Sequence, residues 1–194
     1  MSDLFVDNIK HQSSQGSGTI TLGASGETIA LASGASVTGN GLVGITMADQ
    51  WRLTADLTAN ALPITSNLER VDEAAFGGIG TGMTESSGVF TFPQTGIYLV
   101  RFNAFGNAVI NDNLDITIEV TTDNSTYNDF TVTGESGDAG TGNCTLTVEA
   151  MIDVTDTSNV KVRFEAGSIG SGSSILGNTD VNYTYMTFIR LGDT

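Results

Sequence analysis

The residue types that do chemistry in proteins are few here and scattered. The only histidine, His11, sits beside Lys10 near the start, far in sequence from any hydroxyl or thiol it could activate. No nucleophile, base and acid can be assembled around it, and it reads as a surface or interface residue. Cys144 is the only cysteine, so it cannot close an intrachain disulfide; within alternating Thr-Leu-Thr-Val sequence it reads as a small buried side chain. Glu69, Asp72 and Glu73 offer the carboxylates of a glycosidase, but such a pair works only across a sugar-binding cleft, and the plain reading is a solvated surface. Asp112, Asn113 and Asp115, and again Asp123, Asn124 and Asp129, present the oxygen ligands that calcium prefers, without the loop spacing of a dedicated calcium site. A structural calcium is therefore allowed by ligand type, and no other cofactor is expected. Gly39-Asn40-Gly41-Leu42-Val43-Gly44 matches the dinucleotide fingerprint in letters, but no buried strand leads into it and no helix follows. An enzyme is not expected.

Composition narrows the partners. Against 7 Lys+Arg stand 22 Asp+Glu, a formal net charge of -15, which repels a phosphate backbone and excludes nucleic acid. With 24 Gly and only 2 Pro, alongside many Ser, Thr and Asn, the chain suits short strands joined by tight turns. Met1-Ser2-Asp3-Leu4-Phe5 lacks the basic and apolar regions of a secretory signal, and no apolar run approaches the roughly 20 residues of a membrane span. The product is expected to accumulate in the cytoplasm of the cell that makes it, with no membrane partner. Asn124-Ser125-Thr126, Asn143-Cys144-Thr145 and Asn182-Tyr183-Thr184 match the glycosylation sequon, as chance matches do in a chain of this composition.

The elements that would carry these residues are strands. In the stretch from Gly88 to Phe105, Phe90 and Phe92 alternate with Val89 and Thr91, Pro93 to Gly96 supplies turn chemistry, and Tyr98, Val100, Phe102 and Ala104 alternate with Leu99, Arg101 and Asn103. This reads as a hairpin whose aromatic rows need a second sheet to cover them. Trp51, Leu53, Ala55 and Leu57 mark an earlier strand, and Leu62 to Ile64 with Leu68 to Val71 a broken edge strand. Downstream come strands at Leu114 to Thr121, Cys144 to Val154, Val160 to Phe164 and Tyr183 to Leu191. Between them lie a polar loop at Thr122 to Asn128, a mobile tip at Glu135 to Asn143, and the most flexible connection at Gly167 to Thr179.

Residues 1–49 differ from the rest. Thr19-Ile20-Thr21-Leu22, Thr28-Ile29-Ala30-Leu31 and Ser36-Val37-Thr38 are short apolar units separated by Gly and Ser. Each buries too little to stand alone, so they are expected to wind with other copies of the chain into a slender β-rich stalk. Leu4, Phe5, Val6 and Ile9 are apolar points in an otherwise polar arm and are expected to dock it onto another protein.

The order F-x-F-P-x-x-G-x-Y-x-V-x-F from Phe90 to Phe102 resembles the second and third strands of the jelly roll shared by tumour necrosis factor and the globular heads of complement and collagen-like proteins. The downstream strand order continues the likeness over roughly the last three-quarters of the chain. The resemblance implies an all-β, TNF-like jelly-roll sandwich at residues 50–194, carried on the arm and stalk of residues 1–49. It also implies a homotrimer in which aromatic residues of the inner sheet meet at the threefold axis, with Tyr98, Phe102, Tyr183 and Tyr185 as the candidates; the same side chains would equally fill the core between the sheets. The diction of Asn67-Leu68-Glu69-Arg70-Val71-Asp72, of the glycine-rich run Gly78 to Gly88 and of the early Thr-Ile repeats is similar to structural proteins of tailed bacteriophages. The expected function is a trimeric virion protein, a capsid decoration (cement) protein or head fibre, anchored through its arm to other virion proteins with its head outward. The alternative is a tail-fibre or receptor-binding tip that adheres to a host surface receptor.

Overall fold

The computed structural model describes residues 44–109, 112–136 and 142–194. The arm residues Leu4, Phe5, Val6 and Ile9, the stalk repeats and His11 lie outside them. Eleven strands follow in order: β1 (Ala48–Leu53), β2 (Leu68–Arg70), β3 (Thr84–Ser86), β4 (Val89–Thr91), β5 (Gly96–Ala108), β6 (Asn113–Thr121), β7 (Asn128–Ser136), β8 (Gly142–Val154), β9 (Lys161–Gly167), β10 (Ser174–Ile175) and β11 (Tyr185–Gly192). There is no helix among the described residues.

The strands form two antiparallel sheets. In the first, β5 is central: β8 pairs along its whole length on one side, β11 and then β10 pair on the other, and β1 and β2 extend the sheet beyond β11. The second runs β3-β4-β9-β6-β7. The chain passes repeatedly from one sheet to the other, and the sandwich is the expected jelly roll.

The stretch expected to be a hairpin is instead a crossing. β4 pairs β3 and β9 in one sheet, while β5 belongs to the other, and Pro93 to Gly96 carries the chain between them. The aromatic rows therefore face each other across the sandwich rather than side by side, with the Phe92 and Tyr98 rings 4.6 Å apart. Phe90, Phe164 and Phe188 close the centre, with centroids 5.3 Å apart for Phe90–Phe164 and 5.3 Å for Phe90–Phe188. Each such fully buried ring contributes about 1.5–3 kcal/mol of burial, and edge-on contacts add about 0.5–1.5 kcal/mol. Gly96 stands where the chain enters β5 at φ 142, and a Cβ there would run into the backbone of Gly192 and the Arg190 guanidinium.

Two further expectations change. The connection from Gly167 to Thr179 is tied down: Ser174 and Ile175 pair with β5, and Ile175 exchanges backbone hydrogen bonds of 2.8 Å and 3.0 Å with Leu57. The polar stretch after β6 contains a full strand, β7. Its register explains why its sequence does not announce it. Thr131 and Thr133 stand opposite Ile118 and Ile116, whose side chains are buried in the core, so the inward side of β7 carries threonine. The apolar Phe130 and Val132 point away from the sandwich and are 55% and 60% exposed.

Candidate functional site

Tyr98, Val100, Phe102 and Ala104 are buried between the sheets, so the odd-numbered residues of β5 form the outer face of the first sheet. Register then sets their neighbours. Leu99 lies between Ile189 of β11 and Met151 of β8, Arg101 between Thr187 and Glu149, and Asn103 between Tyr185 and Thr147. Apolar side chains gather at the Leu99 end, and the middle is polar. There Arg101 pairs with Glu149 at 2.7 Å, and Gln50 Nε2 donates to Thr187 Oγ1 at 3.0 Å. The far end is aromatic. Phe105 and Tyr183 have ring centroids 5.8 Å apart, and with Asn103, Thr145, Asn182 and Tyr185 they line a cleft of about 300 Å³. Asn103 accepts from Thr147 Oγ1 at 2.9 Å, and Asn182 donates to Gln50 Oε1 at 2.9 Å. The remaining amide atoms, Asn103 Nδ2 and Asn182 Oδ1, are buried without a hydrogen-bond partner among the described residues.

Of the four aromatic residues expected at an assembly axis, this geometry keeps two at the surface. Tyr183 is 42% exposed and Tyr185 is half-buried on the outer face. Tyr98 and Phe102 have no exposed surface and fill the core, because the alternation of β5 turns even-numbered side chains inward. The Tyr98 hydroxyl is satisfied there by donating to the Gln94 carbonyl at 2.8 Å, and burial pushes its pKa up.

Carboxylates take up positions that spacing did not reveal. Glu69, Asp72 and Glu73 converge on one side chain, Arg52, whose guanidinium donates to them at 2.7 Å, 2.5 Å and 3.2 Å while only 1% exposed. A glycosidase reading of these acids fails, since all three are committed to holding a buried cation. Of the carboxylates expected to offer calcium ligands, Asp123 and Asp112 hold loop structure. Asp123 accepts from the Ser125 and Thr126 amides at 2.9 Å and 2.7 Å and from the Thr121 hydroxyl at 2.9 Å, which holds its pKa down at about 2. Asp112 accepts from the Gly170 amide at 2.9 Å, and its carboxyl is lowered chiefly by a hydrogen bond with Ser173. Cys144 is half-buried, and burial raises its thiol pKa, the opposite of what a nucleophile needs.

One acidic cluster forms across strands. Among the described residues, Glu119 of β6, Asp129 of β7 and Glu165 of β9 bring carboxylate oxygens within 4.8 Å of one another on the outer face of the second sheet. Arg163 meets Glu119 with two hydrogen bonds, 2.5 Å and 3.0 Å long, and its guanidinium lies 4.1 Å from the Tyr127 ring centre. Glu165 is left with carboxylate neighbours. Its burial, then its hydrogen bond and charge interaction with Glu119, push its pKa up to about 7. Only Asp129 of this set was singled out by residue type, because the three positions meet through strand register and not through spacing.

The chain matches no known family profile and no curated protein. Solved structures do resemble it. The Eiger TNF of S. frugiperda superposes with a TM-score of 0.58 over 77% of this chain and 95% of its own, at 12% identity. Two crystal structures of murine APRIL superpose with TM-scores of 0.52 and 0.53, each over 75% of this chain and 98% of theirs, at 9% identity. At these identities the likeness establishes the TNF-like jelly-roll fold.

Proposed function

We propose that this chain is a trimeric structural protein of a phage virion, anchored through Leu4, Phe5, Val6 and Ile9 of its N-terminal arm to capsid proteins, with the jelly-roll head outward. The observation that carries the reading is the outer face of the first sheet. Leu99 and Ile189 at one end, and Phe105, Tyr183 and Tyr185 at the other, form two apolar and aromatic patches on either side of the polar middle, on the side of the sheet that faces away from the core. Two buried amide atoms on that face have no hydrogen-bond partner among the described residues. A chain of net charge -15 gains from covering such patches with copies of itself, and a TNF-like head offers the geometry for three. The virion assignment rests on the resemblance of Asn67 to Asp72, the glycine-rich run and the early Thr-Ile repeats to phage structural proteins, read from the sequence alone. No catalytic role is assigned.

Light scattering of the full chain at micromolar concentration should give three times the 20.2 kDa chain mass. Leu99→Asp or Tyr185→Asp should reduce it to one while leaving a cooperative melt. A monodisperse wild-type monomer would sink the trimer. For the anchor, deleting residues 1–15 should abolish incorporation into particles and leave the oligomer intact. Truncated protein found on particles at full occupancy would place the anchor elsewhere.

A further inference from the structure

β7 is built inside out, and the way it is inverted points to a second surface. A β-bulge interrupts its pairing with β6 between Ile118 and Glu119: Thr131 stands opposite Ile118, Asp129 stands opposite Glu119, and Phe130 is the extra residue with no partner. The bulge thus sets Asp129, not Phe130, beside Glu119 and leaves Phe130 in solvent. Val132 shares the outward side. Among the described residues β7 pairs only with β6, so it is an edge of the second sheet.

Next to this exposed apolar pair the charges do not balance. By register, the same face carries Asp115 and Glu119 from β6, Asp129 from β7, and Lys161, Arg163 and Glu165 from β9, with Tyr127 from the connection before β7. Arg163 is spent on Glu119 and on stacking with Tyr127. Glu165 and Asp129, whose oxygens crowd that of Glu119, have no arginine of their own. A second copy of this chain has no unpaired arginine to supply the missing cation, and of its two lysines Lys10 lies outside the described residues and Lys161 stands on this same face. Every one of its arginines, Arg52, Arg70, Arg101, Arg163 and Arg190, is already ion-paired within its own protomer. Among the described residues Lys161 is the only cation outside a salt bridge.

We propose that the outer face of β7, with Phe130 and Val132 flanked by Asp129 and Glu165, is a docking surface for a different protein that presents an extended segment in which lysine or arginine and apolar side chains stand two residues apart on one face, with polar residues between them. The cation completes the carboxylate cluster, the apolar side chains cover Phe130 and Val132, and the segment's backbone pairs with the edge. Charge complementarity selects the partner, and the period of two along a strand keeps its cationic and apolar groups on the one face that meets both. The inference stands apart from the trimer and the virion assignment.

The test uses the full chain and a synthetic lysine-valine peptide repeating Lys-Thr-Val-Thr, which puts lysine and valine on one face of a strand, followed by calorimetry. Control peptides replace the valines by serine (lysine-serine) or the lysines by glutamate. The lysine-valine peptide should bind, with Phe130→Ser or Val132→Ser weakening it on the order of tenfold and Glu165→Gln about fivefold. Binding should tighten from about pH 6 to about pH 8, because Glu165, with its pKa of about 7, gains its negative charge over that interval. Phe130 and Val132 are exposed, so their variants should keep the wild-type melt, and either one alone suffices for the comparison. Equal binding of the lysine-serine peptide would reduce the effect to net charge and overturn the proposal, as would affinities unmoved by the substitutions. A change of molecular mass in the Phe130 or Val132 variant would assign the surface to a second copy and overturn it as well.

Discussion

Two clusters in this molecule set a single arginine against three carboxylates, and they differ in which partner is buried. At Arg52 the cation is the buried member, while Glu69, Asp72 and Glu73 have side chains 34%, 76% and 49% exposed. Water shares the burden of the excess negative charge, and the cluster acts as a clasp that fastens β2 and the chain after it onto β1. At Arg163 the order is reversed. Glu119 is only 6% exposed, the arginine is 25% exposed, and the surplus falls on the half-buried Glu165 and the exposed Asp129, whose oxygens crowd that of Glu119. The same stoichiometry gives a fastening in one place and an unneutralised acid in the other, because desolvating a carboxylate costs more when the neighbouring groups are also anions.

Removing the arginines should break the symmetry most visibly. Arg163→Met strands the buried Glu119 carboxylate without its cation and should cost about 3 kcal/mol near pH 8. For a domain of this size that is roughly 6–12 °C of melting temperature. Arg52→Met leaves only solvated carboxylates behind and should cost about 1 kcal/mol. Melts of both variants in one buffer decide it, and equal losses would mean that burial of the anion is not what separates the clusters.

A smaller effect is expected from Glu165. Its folded pKa of about 7 lies above its ordinary value of 4.5, so the folded protein holds a proton that the unfolded chain has released. The contribution to stability is therefore full below about pH 4.5, declines as pH rises, and is gone above about pH 7. Glu165→Gln should melt level with wild type at about pH 5 and roughly 2–4 °C above it at about pH 8, a gain held to that size by solvent screening. A wild-type minus variant difference that stays constant with pH would contradict the assignment.

The smallest effect sharpens the contrast from the other side. Asp123 is fully solvated yet surrounded by donors, the Ser125 and Thr126 amides and the Thr121 hydroxyl, so its carboxylate is favoured without any cation. In an NMR titration its side-chain signal should hold the ionised position until the pH approaches about 2, well after ordinary aspartates have titrated. Asp123→Asn should leave the Glu165 titration unmoved. A midpoint for Asp123 near the ordinary 3.8 would show that the loop hydrogen bonds do not persist in solution.

Much of the fold was legible before any coordinates, and particular residues say why. β5, β6, β8, β9 and β11 bury apolar side chains at every second position, so alternation marks them directly. β7, most of which falls between the expected loop at Thr122 to Asn128 and the expected tip at Glu135 to Asn143, shows no strand signal because its inward residues are Thr131 and Thr133, while its apolar residues face water. The alternation of Phe90 to Phe102 was read correctly as two strands and wrongly as a hairpin. Two strands paired edge to edge and two strands facing across a core carry the same pattern, and only the partners chosen by each backbone distinguish them.

The sequence by itself determined the class of the protein: an acidic, glycine-rich, all-β chain with paired sheets over an aromatic core, because composition and periodicity are local properties that burial translates directly into strands. Which residues meet on the two outer faces was decided by tertiary structure alone. Tyr98 and Phe102 turn inward while Tyr185 stays outside, Arg52 gathers three acids from the chain beyond it, and Glu119, Asp129 and Glu165 come together from three strands. The physical reason lies in register. A strand's side chains change face with a shift of one residue, and a single bulge at Ile118/Glu119 is enough to put a carboxylate beside Glu119 and a phenylalanine into solvent.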